Sequence, residues 1–438
     1  MQKFKRILPL FLGAIIFLFY AFLNGFPVVY SDTSTYLASG FELKAPFDRP
    51  IMYGLFLRFS SLNGLSLWLT IFAQGFLLSF LLFKLLQAVF PNYKNINALF
   101  IVITIFTVLF TSVSWVASQL IADVFTPILI LSFILLVATE QSKKTKIILY
   151  VIFFLATATH TSHIAFNVLL IFSVLILKWL KFLDVKKNIQ IKPLLVCLGI
   201  VLLSIATMGS AISKSKHVFL MGALVEHGIV KQYLDEHCEN NNYKFCEFKD
   251  ELPEKAWQFI WEDYSPFYKM GSWKGTKEEF NTIIFNTLTT PKYIWLHIKA
   301  SVKATIEQLT MFKMGDGNGA FLQETLLYQR INTFFPHEIN SYISSKQNKK
   351  QLGFLSGFNL LSIYTLIASV GLFLFALIKS CKSHKKLLLI LLIVFFAVLI
   401  NAWTCGTLAN AIDRLGAKVM WLIPLFSVIG IIKLKQNN

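Results

Sequence analysis

KLLLILLIVFFAVLINAWT, residues 386–404, carries one charge at its first position and none in the eighteen residues that follow. As a helix it would span roughly 28 Å, close to the ~30 Å of bilayer hydrocarbon. Comparable apolar runs lie at about 7–24, 65–90, 98–117, 120–139, 147–160, 163–182, 193–212, 357–380 and 416–433. Ten such runs predict an all-α polytopic membrane bundle of about ten helices. Composition agrees, since only 15% of the 438 residues are charged and 43 are Phe. A soluble domain carries roughly 25% charged residues. The first run follows Lys3, Lys5 and Arg6 but has no prompt small-residue cleavage site, so a retained helix is expected rather than a signal peptide.

The net charge of +18 is distributed unevenly. Residues 212–354 hold 17 basic and 16 acidic residues, while the remainder holds 24 basic and 7 acidic ones. The excess therefore sits beside apolar runs, which is the positive-inside pattern and not a nucleic-acid footprint. With the N-terminus in the cytoplasm, the Lys143/Lys144/Lys146 cluster falls inside, as do Lys178 to Lys192, Lys379 to Lys386, and the tail lysines. Both termini are expected to be cytoplasmic, in an inner membrane of bacterial type. The chain divides into an N-terminal bundle, 1–211, with a first external loop at 25–64; an external and mainly helical segment, 212–356; and C-terminal helices, 357–438. Cys238 and Cys246 lie in the external segment, at a spacing that suits a local disulfide on an oxidising side.

Topology also sorts the acids. Of the seven outside residues 212–354, five (Asp32, Glu42, Asp48, Asp123 and Asp413) fall at the external face. Carboxylates beside a bilayer are costly and tend to mark function. In the first loop, VVYSDTSTYLASGFELKAPFDRPIMYGLFLR (28–58), Asp32 either caps a short helix or serves as a general base. Arg49 suits bidentate phosphate binding or headgroup anchoring. Asp123 stands at the mouth of the fourth helix, where the macrodipole alone would favour it. His160 and His163, three residues apart, would share a helix face and could contact phosphate or, with an acid, a divalent metal. Asp413 and Arg414 precede the last helix; Arg414 is a candidate phosphate ligand or one half of a surface ion pair. The glycine-rich MGDGNGAF (314–321) lacks a Walker lysine and reads as a turn.

An acid in the first external loop, then Tyr, then Arg-Pro-x-x-Tyr-x-x-Phe-Leu, resembles the GT-C superfamily of membrane glycosyltransferases, of protein-mannosyltransferase type. The matching residues are Asp32, Tyr36, Arg49, Pro50, Tyr53, Phe56 and Leu57, and Asp123 matches a second acid in the next external loop. Thr33 stands where a paired-acid variant would have a second carboxylate, and the large external segment precedes the eighth helix instead of ending the chain. The resemblance implies transfer of a sugar from a polyprenyl-phosphate carrier to a lipid or glycan acceptor of the cell envelope. It casts Asp32 as base and Asp123 as orienter of the acceptor or a metal. Arg49 and Arg414, helped by His160 or His163, would stabilise the leaving phosphate, and Tyr36, Tyr53 and Asp413 would help bind substrate. A flippase of lipid-linked intermediates, an acyl or phospho transferase, and a non-catalytic scaffold are the competing readings. A transporter would want polar groups near mid-membrane at broken helices, and the helix centres here are apolar.

Overall fold

The computed structural model describes residues 2–180 and 183–436. Among these the chain is all-α, with one isolated bridge, Val28 to Gln119, as its only extended pairing. The N-terminal part runs α1 (Gln2–Phe17), α2 (Phe19–Asn24), α3 (Ser31–Glu42), α4 (Met52–Ser60), α5 (Leu67–Val89), α6 (Ile96–Phe110), α7 (Val113–Ala117), α8 (Phe125–Ala138), α9 (Lys143–Ala158), α10 (Ser162–Trp179) and α11 (Ile191–Glu226). Then come α12 (Ile229–His237), α13 (Ala256–Trp261), α14 (Pro266–Lys269), α15 (Ser272–Gly275), α16 (Lys277–Thr289) and α17 (Pro291–Thr310). The chain closes with α18 (Leu326–Phe334), α19 (Ile339–Ser344), α20 (Leu355–Ser383), α21 (Lys385–Leu408), α22 (Asp413–Met420) and α23 (Leu422–Lys435).

Six segments among the described residues are long and apolar enough to cross a membrane: 67–89, 162–179, 191–208, 355–383, 385–408 and 413–435. Their composition explains their placement. α8, FTPILILSFILLVA, is apolar all round and buried along its whole length, as a helix surrounded by helices must be. α20 instead leaves Leu360, Tyr364, Ile367 and Ile378 exposed, a surface that only lipid would tolerate in quantity. The all-α bundle agrees with the apolar runs in class, with six of the ten expected spans meeting the length and hydropathy that a crossing needs.

The segment after the first part of α11 has a core of its own. Val218, Met221, Val230, Tyr233, Phe245, Phe259, Phe267, Phe280 and Ile283 form a buried cluster separate from that of the bundle. Cys238 and Cys246 are joined by a disulfide in this unit. α17 leaves it and docks along α21 at close range: Trp403 Nε1 donates to Ser301 Oγ at 2.7 Å. A Cβ on Gly406 would lie only 2.5 Å from Ala304 O, so glycine is what permits this approach. Past α17, MGDGNG forms a turn with positive φ at Gly315 and Gly317, as read from the sequence.

Candidate functional site

The first loop folds into the hairpin α3–α4. Tyr30 precedes α3 in extended conformation, its N–H donates to Thr33 Oγ1 at 3.0 Å, and the Thr33 hydroxyl donates to Leu120 O at 3.0 Å. Thr33 therefore secures the helix start, which leaves the neighbouring Asp32 carboxylate out of the cap. α4 returns against α3 almost at backbone contact; a Cβ on Gly54 would lie 2.7 Å from Tyr36 O and 2.8 Å from Gly40 N. That closure sets Arg49 beneath Asp32.

Arg49 is held between two carboxylates. Its Nη1 is 2.9 Å from Asp32 Oδ1, while Nε and Nη2 both donate to Asp48 Oδ2, at 2.9 and 2.6 Å. The guanidinium also lies over the Tyr36 ring, 5.3 Å from its centroid. Tyr36 is edge-on to Tyr53 at 4.6 Å, and Tyr53, fully buried, donates its hydroxyl to Gln74 Oε1 at 2.7 Å. Tyr53 thus supports the floor of the site and does not reach its surface. Burial pushes the Arg49 pKa down, but Asp32 and Asp48 more than offset this and hold it above the ordinary arginine value.

The second arginine arrives from the other end of the chain. α22 begins at Asp413; the Arg414 N–H donates to Asp316 Oδ2 at 3.1 Å and its guanidinium stacks 4.0 Å above the Tyr30 ring. Arg414 Nη1 is 3.5 Å from Asp32 Oδ2 and Nε is 3.5 Å from Asp123 Oδ2. Lys418, one turn further along α22, places Nζ 3.6 Å from Asp123 Oδ1. Asp123 and Lys418 are almost fully buried, and Asp123 Oδ2 and Arg414 Nε have no hydrogen-bond partner of good geometry. Three carboxylates and three cations thus alternate through Asp48, Arg49, Asp32, Arg414, Asp123 and Lys418. Arg49 is saturated. Arg414 makes only long contacts and retains donor capacity.

Asp32 keeps 28% of its side chain exposed, the most open of the charged groups that touch it. Burial acts to raise its pKa; Arg49 and then Arg414 outweigh that and hold it at about 2. It is therefore an ionised, hydrogen-bond-accepting carboxylate, open on one side and flanked by a guanidinium able to take an anion.

The histidines separate in role. His163 Nδ1–H donates to Ala156 O at 2.7 Å, so Nε2 must accept from Thr126 Oγ1 at 2.9 Å. Both ring nitrogens are spent tying α8, α9 and α10 together. His160 precedes α10, its ring centroid 5.6 Å from that of His163, and its Nδ1 accepts from the Ser162 N–H at 3.2 Å. Burial, assisted by the Lys418 charge, pushes the His160 pKa down to about 4, so it stands neutral beside the cluster. Asp413 lies apart from the charge chain: its Oδ1 accepts the Lys313 N–H at 2.9 Å and fixes the strand of loop behind Arg414. No group of three or more His, Cys, Asp or Glu among the described residues is arranged to hold a metal. Asp32, Asp48 and Asp123 each face a cation instead, and the residues present do not fit the divalent ion.

Sequence reasoning singled out Asp32, Asp123, Arg49 and Arg414, and these meet. It placed Asp48 on the same face without a role of its own, and gave none to Lys418, Tyr30 or Asp316. Lys418 was legible as the i+4 neighbour of Arg414 on one helix face. Asp316 sits in the glycine turn, where nothing local connects it with a residue 98 positions away. Comparison of the chain with protein-family models, curated proteins and solved structures returns no match.

Proposed function

We propose that the chain is a membrane glycosyltransferase of GT-C type, moving a sugar from a polyprenyl-phosphate carrier to a lipid or glycan acceptor on the extracytoplasmic face. The observation that carries the reading is the half-open Asp32 carboxylate with Arg414 at 3.5 Å, drawn from opposite ends of the chain to one end of the bundle. Such a pair suits an inverting displacement. Asp32 orients the acceptor hydroxyl and takes its proton as the new bond to the anomeric carbon forms. The departing phosphate gathers negative charge, which Arg414 stabilises, with Lys418 and Asp123 fixing the guanidinium's position. Arg49 holds Asp32 in place.

Helices occupy all ten apolar runs, six of them long and apolar enough to cross; on ten crossings the lysine distribution would put both termini in the cytoplasm and the cluster outside. The charged groups lie at helix ends and not at mid-bundle, which weighs against a flippase. An apolar cavity of about 840 Å³ between α10, α11, α17 and α21 is wide enough for a hydrocarbon chain. It reaches Leu408 and Leu309, close in sequence to the Gln308–Ile412 hydrogen bonds that brace α22. Release of polyprenyl phosphate from a panel of polyprenyl-phospho-sugars tests the reading. One donor should be turned over by the wild type and spared by Asp32→Asn with folding intact. Equal turnover by the variant would remove Asp32 from the chemistry.

A further inference from the structure

A strip of aromatic rings leads away from the charge cluster into the disulfide-bonded unit. It starts at Phe47, the residue before Asp48, whose ring centroid lies 5.5 Å from that of Trp273. Trp273 lies 5.9 Å from Trp261. Trp257 precedes Trp261 by one helical turn on α13, so the two share a face, and they are 46% and 45% exposed. Two features keep the strip in place. His217 Nε2–H donates to Trp273 O at 3.1 Å, and Trp273 packs edge-on against the buried Phe267 at 5.3 Å.

Exposing large flat rings in water is unfavourable, and a fold that needed only a core could have turned them inward as it turned Phe245, Phe259 and Phe280. The polar setting discriminates among occupants. Lys214 approaches the Phe47 ring at 5.6 Å, and Glu262 and Asp263 directly follow Trp261. An anionic lipid surface would be repelled by acids at that position. A pyranose suits it, because its C–H face is apolar and its rim is hydroxyl, matching a ring face bordered by charged acceptors and donors. The strip also ends one residue from the Asp48–Arg49–Asp32 chain, so a saccharide lying on it would end beside that chain.

From this juxtaposition we infer that Phe47, Trp273 and Trp261 form a binding platform for a saccharide, the acceptor of the transfer reaction. The assignment of the saccharide as acceptor rests on the proposed function; the platform itself does not. Saturation-transfer NMR on the full chain in lipid nanodiscs, with chitotriose, α-mannotriose and maltotriose as probes, reads binding without turnover. At least one trisaccharide should give signals from its ring C–H protons. These should fall about tenfold in Trp261→Ala, as for truncation of an aromatic hot spot. They should persist in Trp295→Ala, which removes a still more exposed ring on α17. Brominated phospholipids should quench Trp295 and leave Trp261 bright. Absence of signal from all three sugars, signals unchanged in Trp261→Ala, or lipid quenching of Trp261 would each overturn the platform. Sugar signals without polyprenyl-phosphate release from any donor would keep the platform and remove the transferase reading. Release with no sugar signal would do the reverse.

Discussion

Asp123 is the member of the charge cluster whose removal should cost most. Its carboxylate is almost fully buried and faces two cations, Arg414 at 3.5 Å and Lys418 at 3.6 Å. A unit-charge pair at 3.6 Å interacts by about 4.6 kcal/mol at an effective dielectric of ~20. Desolvation consumes much of that in the intact pair, but removing one partner leaves the other buried and uncompensated, a loss of about 3–5 kcal/mol. Asp123→Asn strips both cations of a partner, whereas Lys418→Met leaves Asp123 facing Arg414. The single variants should therefore be unequal: about 3–5 kcal/mol for Asp123→Asn, and roughly half that for Lys418→Met. In the double variant the buried lysine charge and the carboxylate that faced it are removed together. Its destabilisation should then fall short of the sum of the singles by about 1.5 kcal/mol or more. Thermal unfolding in a fixed detergent, followed by helix circular dichroism and by exposure of buried cysteines such as Cys197, would give the three values. A coupling near zero, or a Lys418→Met variant worse than Asp123→Asn, would refute the reasoning that these charges are held by one another.

The site's other supports make separate predictions. Gly54→Ala places a Cβ against backbone of α3 and should destabilise by about 1–3 kcal/mol, with Arg49 drawn from Asp32; thermal unfolding and donor turnover should fall together. Asp32 has a pKa of about 2 in the folded chain against 3.8 unperturbed, so its ion pairing contributes stability above the unfolded pKa that is lost as pH falls through about 2. Thermal midpoints measured from pH 5 down to 2 should decline less steeply in Asp32→Asn. His160 behaves in the same direction for another reason: held near 4, it leaves the unfolded chain to take the proton first, so stability drops as pH falls from 6.5 toward 4. His160→Gln should flatten that part of the profile. Replacing Cys238 and Cys246 by serine opens a short loop and should cost about 2–3 kcal/mol in the outer unit, measurable as earlier proteolysis of residues 217–290 with the bundle intact.

How much of this was legible in the sequence depends on the range of each signal. Runs such as 386–404 declare themselves because a bilayer demands a continuous apolar length, a purely local requirement. Asp32 and Asp123 stood out because few acids lie near the spans and topology put them on one face. What the sequence could not supply is contact between distant segments. Asp316 receives the Arg414 N–H across 98 residues through a turn whose local pattern says only that it bends. The histidines show the opposite failure: their spacing hints at joint chemistry, yet His163 spends both nitrogens on Thr126 and Ala156 because α8 and α9 happen to offer partners. From sequence alone Asp32 is open to capping or catalysis, and it is Thr33 that holds the helix start.

The low pKa of Asp32 bears directly on the proposed chemistry. A carboxylate held at about 2 is a feeble base toward an alcohol, since proton acceptance is best when the pKa lies nearer the working pH. The two arginines that depress it are not equivalent, however. Arg49 is at 2.9 Å and shared with Asp48, while Arg414 stands at 3.5 Å with capacity to spare. A phosphate ester entering the site would compete for Arg414 and draw it away from Asp32, which removes one of the two charges holding the carboxylate down. Asp32 would thereby gain basicity only when a donor is present to be attacked. The same exchange gives the leaving phosphate a guanidinium already in position. On the proposed reaction the geometry would tie the strength of the base to occupancy of the donor site, and a cluster with both arginines equally close to Asp32 would lack that coupling.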